Sequence, residues 1–442
     1  MTYPSVIRYL NSFANYEKST NYSYKETLKL ARIRDFLAAI GNPQESLRVI
    51  HVAGTKGKGS TCAFAAYILR EAGFRVGLYT SPHLNDFRER IRILKPFILR
   101  RKSAAGDFEG MIPREALTCL VKELKPAIEK YNCHSAHGRL SFFEVYTAIA
   151  LLYFKRKNVD FAVLETGMGG RLDATNAVDS LVCALTPVSY EHTQKLGKTL
   201  AKIAAEKAGI IKHKGAIVIS AAQDKQAGQV IHKRCKRFQA RLYEVGRQIR
   251  YFKLKQGFTI KGLRKVYNNL RLRLLGEHQI ANAALAVGLV EGLSSYGFDI
   301  GGRPIRRGLY DTVWPGRCEV IAKKPLIVLD GAQNLASAGA LKSAVKNNFK
   351  YRKLILVLGV SDDKDIPGIC RTLNPLADEI ILTRAATPRA AEPKRLSFYF
   401  TRKLYLTQSV KEAKLLAGSI ARKEDLILVT GSLFVVGEYR NA

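Results

Sequence analysis

The sequence predicts an α/β protein made of two successive doubly wound units. Three observations carry this. Short apolar runs end in glycine-bearing turns and lead into helix-like segments, the pattern of mainly parallel sheets. The pattern restarts after Gly301-Gly302. The chain has 442 residues, 47% apolar and 25% charged, enough to bury more than one large core.

The first unit opens with LRVIHVAG (47–54), an apolar run of strand length, followed by a glycine-rich turn. A helix is expected over 61–73, closed by Gly73. A second helix is expected over 141–157, then strands over 159–166 and 181–188, a helix over 199–210 and a strand over 216–222. Residues 240–275, rich in Tyr, Arg and Lys, read as short strands and turns, and a helix follows from 278 to 293. The second unit carries strand-to-turn segments at 325–334, 353–365, 379–384 and 425–432. The boundary falls near residue 312, giving units of 1–312 and 313–442. Open α/β sheets bind ligands beyond the carboxyl ends of their strands, so a site in the cleft between the units is expected.

Composition narrows the class. The 72 basic residues against 37 acidic ones give a formal net charge of +35, a field that draws anions such as nucleotides and polycarboxylates. The local excess is greatest from 233 to 273, yet no zinc-finger or RNP-type signature accompanies it. The seven cysteines are scattered and none forms a C-x-x-C pair, which argues against a disulfide framework or a zinc site. No run of about 18 uncharged apolar residues is present, and the first twenty residues lack a basic head followed by an apolar run. A cytoplasmic enzyme with no membrane partner is the expectation.

The strongest local signal is Gly54-Thr55-Lys56-Gly57-Lys58-Gly59-Ser60, set between a buried strand and a helix. Glycines let main-chain N–H groups curl around phosphate oxygens, the helix start adds its dipole, and Lys58 supplies charge for the β and γ phosphates. The match to the usual spacing is imperfect, because Val52 stands at the leading glycine position and Gly59 separates Lys58 from Ser60. Glu165 ends a very apolar strand and precedes TGMGGRLDATN (166–176), a carboxylate well placed for Mg²⁺ beside a phosphate loop. Glu191-His192-Thr193 follows another strand, and Lys207 lies in AEKAGI (205–210), neither singled out by spacing alone.

Nine runs in order bring these signals together: GTKGKGS (54–60), SPHLNDFRERIRI (81–93), SFFEVYTAIALLYF (141–154), ETGMGGRLDATN (165–176), EHTQKLGKTLAKIAAEKAGIIK (191–212), GEHQIANAALAV (276–287), WPGRCEVI (314–321), LDGAQN (329–334) and VTGSLFVVGE (429–438). With them the chain resembles the folylpolyglutamate synthase and dihydrofolate synthase family of the Mur ligase superfamily. The resemblance implies a P-loop-containing Mur-ligase-like ATPase domain followed by a smaller Rossmann-like domain. It implies ATP-dependent addition of L-glutamate to dihydropteroate, to a (tetrahydro)folate polyglutamate, or to both, through an acyl phosphate, with the bifunctional enzyme favoured.

Carried over by position, the resemblance puts ATP on Lys56, Gly57, Lys58, Gly59 and Ser60, with Asn282, Arg317 and Asp330 contacting the nucleotide. It implies two Mg²⁺ sites, one at Ser81 and Glu165 and one at His192. Lys58, Lys207 and His192 are the implied catalytic groups, Lys207 in carbamylated form. The pterin side would be met by Ser141, Phe142, Phe143, Glu144, Leu172, Asp173 and Ala174, and by residues 27–30. A monomer acting on small molecules, with no specific nucleic-acid partner, is implied as well. The chain departs from the family pattern at Lys56 (usually Asn), Glu191 (usually Asp) and Gln333 (usually His). Gln333 cannot act as an acid or base. Two other readings compete: a Mur-type ligase on a non-folate carboxylate, and a basic P-loop protein that binds nucleic acid.

Overall fold

The computed structural model describes residues 1–17, 22–96 and 108–442. A seven-stranded sheet organises the first part: β1 (Val49–Ala53), β2 (Val76–Tyr79), β3 (Ile91–Leu94), β4 (Phe161–Glu165), β5 (Ser180–Leu185), β6 (Ile217–Ser220) and β7 (Arg241–Glu244). Their order is β3-β2-β4-β1-β5-β6-β7, parallel throughout except for β3. Every residue of β1 and β4 is buried, as expected of central parallel strands with helices on both faces. Side chains alternate between two cores. Ile50 and Val52 point into the one that also holds helices Lys58–Glu71, Glu277–Gly292 and Gly302–Asp311. Val49 points into the other, with helices Tyr3–Asn11, Leu30–Ala39, Arg114–His134 and Phe142–Arg156.

The strand order positions the site. Val52 of β1 is level with Glu165 of β4, and Ala53 is level with Leu185 of β5. The turn after β1 therefore lies between the turns after β4 and β5, although 112 and 132 residues of chain (165−53 and 185−53) separate the strand ends.

The stretch 240–275 divides. β7 joins the large sheet, while β8 (Arg250–Lys253), β9 (Phe258–Lys261) and β10 (Val266–Leu270) form a separate antiparallel sheet in the order β10-β9-β8. Phe258, Ile260, Tyr267 and Leu270 pack it into the core that holds helix Glu277–Gly292. Helix Arg114–His134 occupies much of the stretch 94–140. It buries Leu117, Leu120, Val121, Leu124 and Ile128 and so forms part of the helical layer. Residues 97–107 of that stretch lie outside the described residues.

The last part is a six-stranded sheet of β11 (Glu319–Lys323), β12 (Leu326–Leu329), β13 (Leu354–Leu358), β14 (Glu379–Leu382), β15 (Lys403–Leu406) and β16 (Leu426–Thr430). The order is β11-β12-β16-β13-β14-β15, with only β11 antiparallel. Leu84, from the turn beyond β2, is buried in the core of this sheet with Val435 and Val436. Gly437 permits that approach: a β-carbon there would come 2.4 Å from the Leu84 carbonyl oxygen.

One buried ion pair pins the helical layer. Arg32 Nε donates to both carboxylate oxygens of Glu144 at 2.8 and 2.9 Å, and both side chains are nearly dry. Arg32→Met removes the charge and leaves Glu144 desolvated with only its cap donors. The fold should lose about 3–5 kcal/mol, read as a lower midpoint in urea unfolding. A loss under about 1 kcal/mol would show that the pair is dispensable.

Candidate active site

The turn after β1 is built to take an anion. Helix Lys58–Glu71 starts at Gly57, whose φ of +81° suits glycine, and no side chain caps it. Its first main-chain N–H groups are thus left for a ligand. A β-carbon at Gly57 would come 2.3 Å from Asn282 Oδ1, so Asn282 lies against the loop. Trp314 covers the next turn, 2.9 Å from where a β-carbon of Gly59 would stand. The neck of the loop is tied to the turn after β5, with Thr55 and Lys56 N–H both donating to the Pro187 carbonyl at 3.0 and 3.3 Å. Ser60 is buried at the helix start.

Charged groups converge on this loop. Glu165, at the end of β4, is buried; its Oε2 accepts from the Ser81 N–H at 3.2 Å and its Oε1 lies 3.9 Å from Lys58 Nζ. Burial raises its carboxyl above the ordinary range, opposed by Lys58, Ser81, Arg317 and Arg90. Lys207 is also buried, and its Nζ donates to the Gly54 carbonyl at 2.7 Å. Burial, with Lys58 and Lys56 nearby, lowers its ammonium to about 7. His192 keeps part of its surface in solvent. Partial desolvation of the ring, with Lys364, Lys207 and Lys58 nearby, lowers its imidazolium against the pull of Glu191, which favours a neutral ring with a lone pair to offer. His192 also adopts a left-handed backbone, φ 51°, unusual for a non-glycine residue.

Two departures from the family pattern touch each other. Lys56 Nζ donates to Glu191 Oε1 at 3.2 Å. Burial would raise Glu191, yet Lys56, His192, Lys58 and Lys364 hold it at about 2. The same oxygen accepts from Asn334 Nδ2 at 3.3 Å, a contact from the second sheet.

The turn 166–176 is shaped by its glycines. A β-carbon at Gly167 would meet Phe143 at 2.7 Å, and one at Gly170 would meet the Lys207 carbonyl at 2.7 Å. Asp173 is buried and accepts from Met168 N–H (2.8 Å), Thr175 N–H (3.0 Å) and Thr175 Oγ1 (2.6 Å). Ala174 is buried beside it, and Leu172, Met168 and Leu28 all pack against one apolar cluster that includes Tyr24, Leu196 and Ile203. Ser141 and Glu144 cap helix Phe142–Arg156, with Ser141 N–H and Oγ both donating to Glu144 Oε2. Phe142 is fully buried and stacks on Tyr146, so its ring faces the core. The half-buried Phe143, against Tyr79 and Gly167, is the one with surface toward the turn.

From the second sheet, half-buried Asp330 accepts from Cys318 N–H at 2.8 Å and Ala332 N–H at 2.9 Å. Burial raises its carboxyl and Arg317 opposes that. Arg317 is the link, since its charge acts on Asp330, Glu165 and His278. Gln333 follows, its N–H donating to Ser337 Oγ at 3.1 Å.

Reasoning on sequence missed Trp314 against Gly59, Asn334 and Lys364 beside Glu191, and Arg90 acting on Glu165. All but Lys364 lie in runs that carried the resemblance. A lysine in a turn carries no signal of its own.

Among the described residues no group of three His, Cys, Asp or Glu forms a metal cage. A single buried carboxylate beside the loop suits a cation that takes most of its ligands from water and phosphate, as Mg²⁺ does. Glu165 with the Ser81 hydroxyl fits that description. Around His192 the fit is thinner, because Glu191 already carries Lys56 and Asn334.

Two domain models match the chain: the Mur ligase middle domain over 128–290 and the Mur ligase glutamate ligase domain over 316–433, the class that this fold and cleft define. The dihydrofolate synthase/folylpolyglutamate synthase of Bacillus subtilis is 33% identical over 421 residues, covering 93% of this chain and 94% of its own. The folylpolyglutamate synthase of Lacticaseibacillus casei is 32% identical, covering 100% and 98%. The structure of Escherichia coli FolC in complex with DHPP and ADP superposes with a TM-score of 0.85 at 29% identity, over 100% of this chain and 97% of that one. The chain belongs to the folylpolyglutamate synthase and dihydrofolate synthase family.

Proposed function

We propose that the chain is an ATP-dependent ligase that joins L-glutamate to dihydropteroate and to folate-type acceptors through an acyl phosphate. One observation supports this above the others. An uncapped helix start bearing Lys58 lies between buried Glu165 and buried Lys207, and Arg317 and Asp330 of the second sheet flank the same cleft.

A carboxylate is a poor electrophile. Its oxygen attacks the γ phosphorus of ATP, ADP leaves, and the resulting acyl phosphate is open to attack by the glutamate amine. The amine loses a proton as the C–N bond forms, and phosphate departs. In this reading Lys56 to Ser60, with Asn282, Arg317 and Asp330, hold the nucleotide. Lys58 offsets charge on the transferring group. Glu165 and Ser81 would hold Mg²⁺, which when bound offsets phosphoryl charge as well, and His192 would contribute to a second cation site. Lys207, poised near neutrality, has the free amine that carbamylation by CO₂ requires. Phe143, Leu172, Asp173 and Ala174 face the acceptor, with Ser141 and Glu144 fixing the helix that presents Phe143. Shielding by Trp314 and the second sheet protects the acyl phosphate from water.

No helix among the described residues is long and apolar enough to cross a membrane; a monomer in the cytoplasm is part of the proposal. The test is ADP release with ATP, Mg²⁺ and glutamate, comparing dihydropteroate, tetrahydrofolate and no acceptor. Release that needs both glutamate and a pterin is the expected result, with both acceptors active. Release indifferent to pterin would overturn the proposal.

A further inference from the structure

We infer that Glu191 is a positioning residue that couples the phosphate loop to the second sheet by sharing one carboxylate oxygen between Lys56 and Asn334. The geometry is specific. Lys56 Nζ lies 3.2 Å and Asn334 Nδ2 3.3 Å from the same Oε1. Asn334 has its orientation set independently, because its Oδ1 caps helix Leu335–Asn348 by accepting from Ser337 N–H at 3.0 Å. That cap leaves only the amide nitrogen to face Glu191.

The turn carrying Glu191 follows the loop as one body. Thr55 Oγ1 donates to the Ser189 carbonyl at 3.2 Å and accepts from Ser189 N–H at 3.1 Å. A shift of the second sheet therefore reaches Glu191 first and Lys56 through it. Among the described side chains, Lys364 adds a further cation from the second sheet near Lys56, Glu191 and His192. When Asn334 is docked, Glu191 has one rotamer and the Lys56 ammonium is held at the mouth of the loop. When it is not, Lys56 has a wandering partner, and ATP phosphates meet a less ordered cation. The inference rests on the reading that the loop carries ATP.

The test exchanges the two partners. Asn334→Asp keeps the helix cap, since Asp is as good an N-cap as Asn, but sets a carboxylate against Glu191. Half-saturation by ATP should rise about tenfold, as expected for spoiling a hydrogen bond to a charged group, with thermal stability unchanged. Adding Glu191→Gln to that variant restores an amide facing a carboxylate and brings the pair back to a single negative charge, as in wild type. The double variant should recover to within about threefold of wild type, the residual of a re-formed bond of imperfect geometry. Half-saturation is read from turnover and from the emission of Trp314, the single tryptophan, which lies against Gly59.

An Asn334→Asp variant with unchanged ATP dependence overturns the coupling. So does a double variant no better than Asn334→Asp alone. Lys58→Met separates this from the underlying reading: if that variant binds ATP like wild type, the loop is not the nucleotide site, whatever the exchange shows.

Discussion

Glu165→Ala should remain folded and lose about a thousandfold or more in turnover. The residue supplies the buried carboxylate at the end of β4, level with Val52 and 3.9 Å from Lys58. If it anchors Mg²⁺, its loss removes several kcal/mol of stabilisation of the transferring phosphoryl group, and about 4 kcal/mol corresponds to about a thousandfold. The fold should not suffer, because burial holds this carboxyl above its ordinary value of 4.5. Stability tied to its protonated form is present below the unfolded value and is lost as pH rises through the folded one. At neutral pH the ionised group therefore burdens the fold. Glu165→Gln should melt at or above the wild-type temperature, with a gap that widens as pH rises above 4.5. The decisive measurement is ADP release against Mg²⁺ concentration. Near-normal turnover of Glu165→Ala at any Mg²⁺ level would remove the residue from the metal site.

Lys207→Met should lose about a hundredfold or more in turnover, the size expected for deleting a preorganised polar group at the reacting centre. Its stability should change in a particular direction. Burial, then Lys58, lowers this ammonium from 10.5 to about 7. Stability associated with the neutral amine is complete above 10.5 and is lost as pH falls through about 7. The methionine variant carries no such proton, so its melting advantage over wild type should grow as pH falls from 10.5 to 7. Wild-type activity should also depend on dissolved CO₂ near pH 7, and that of the variant should not. Turnover of the variant within threefold of wild type would mean that Lys207 only ties down the Gly54 carbonyl.

The two halves of the fold were unequally legible. Central strands such as β1, β4, β13 and β16 are buried on both faces and stand out as unbroken apolar runs. The edge strands β11 and β15 are partly exposed and mixed in composition, and no such run marks them. The strands in 240–275 were visible as strands, but their division between two sheets was not. β7 pairs with β6, while β8 to β10 pair only among themselves, and pairing partners are not written in local periodicity. Phe142 and Phe143 show the same limit within one helix turn. Both are aromatic at a helix start, and only the packing sends Phe142 into the core and leaves Phe143 beside Gly167.

What the sequence determined by itself is the chemistry that short spacing enforces. Glycines at 54, 57 and 59 around a helix start dictate an open, uncapped turn, and a carboxylate at the end of an apolar strand dictates a buried charge at the carboxyl edge of the sheet. What only the tertiary structure decided is which distant groups share that edge. Lys56 meets Glu191 across 135 residues, and Glu191 meets Asn334 across another 143. Arg317 acts on Glu165 from another sheet. The physical reason is that burial and backbone geometry are set by near neighbours in the chain. The electrostatics of a cleft are set by strand order and by how two sheets dock.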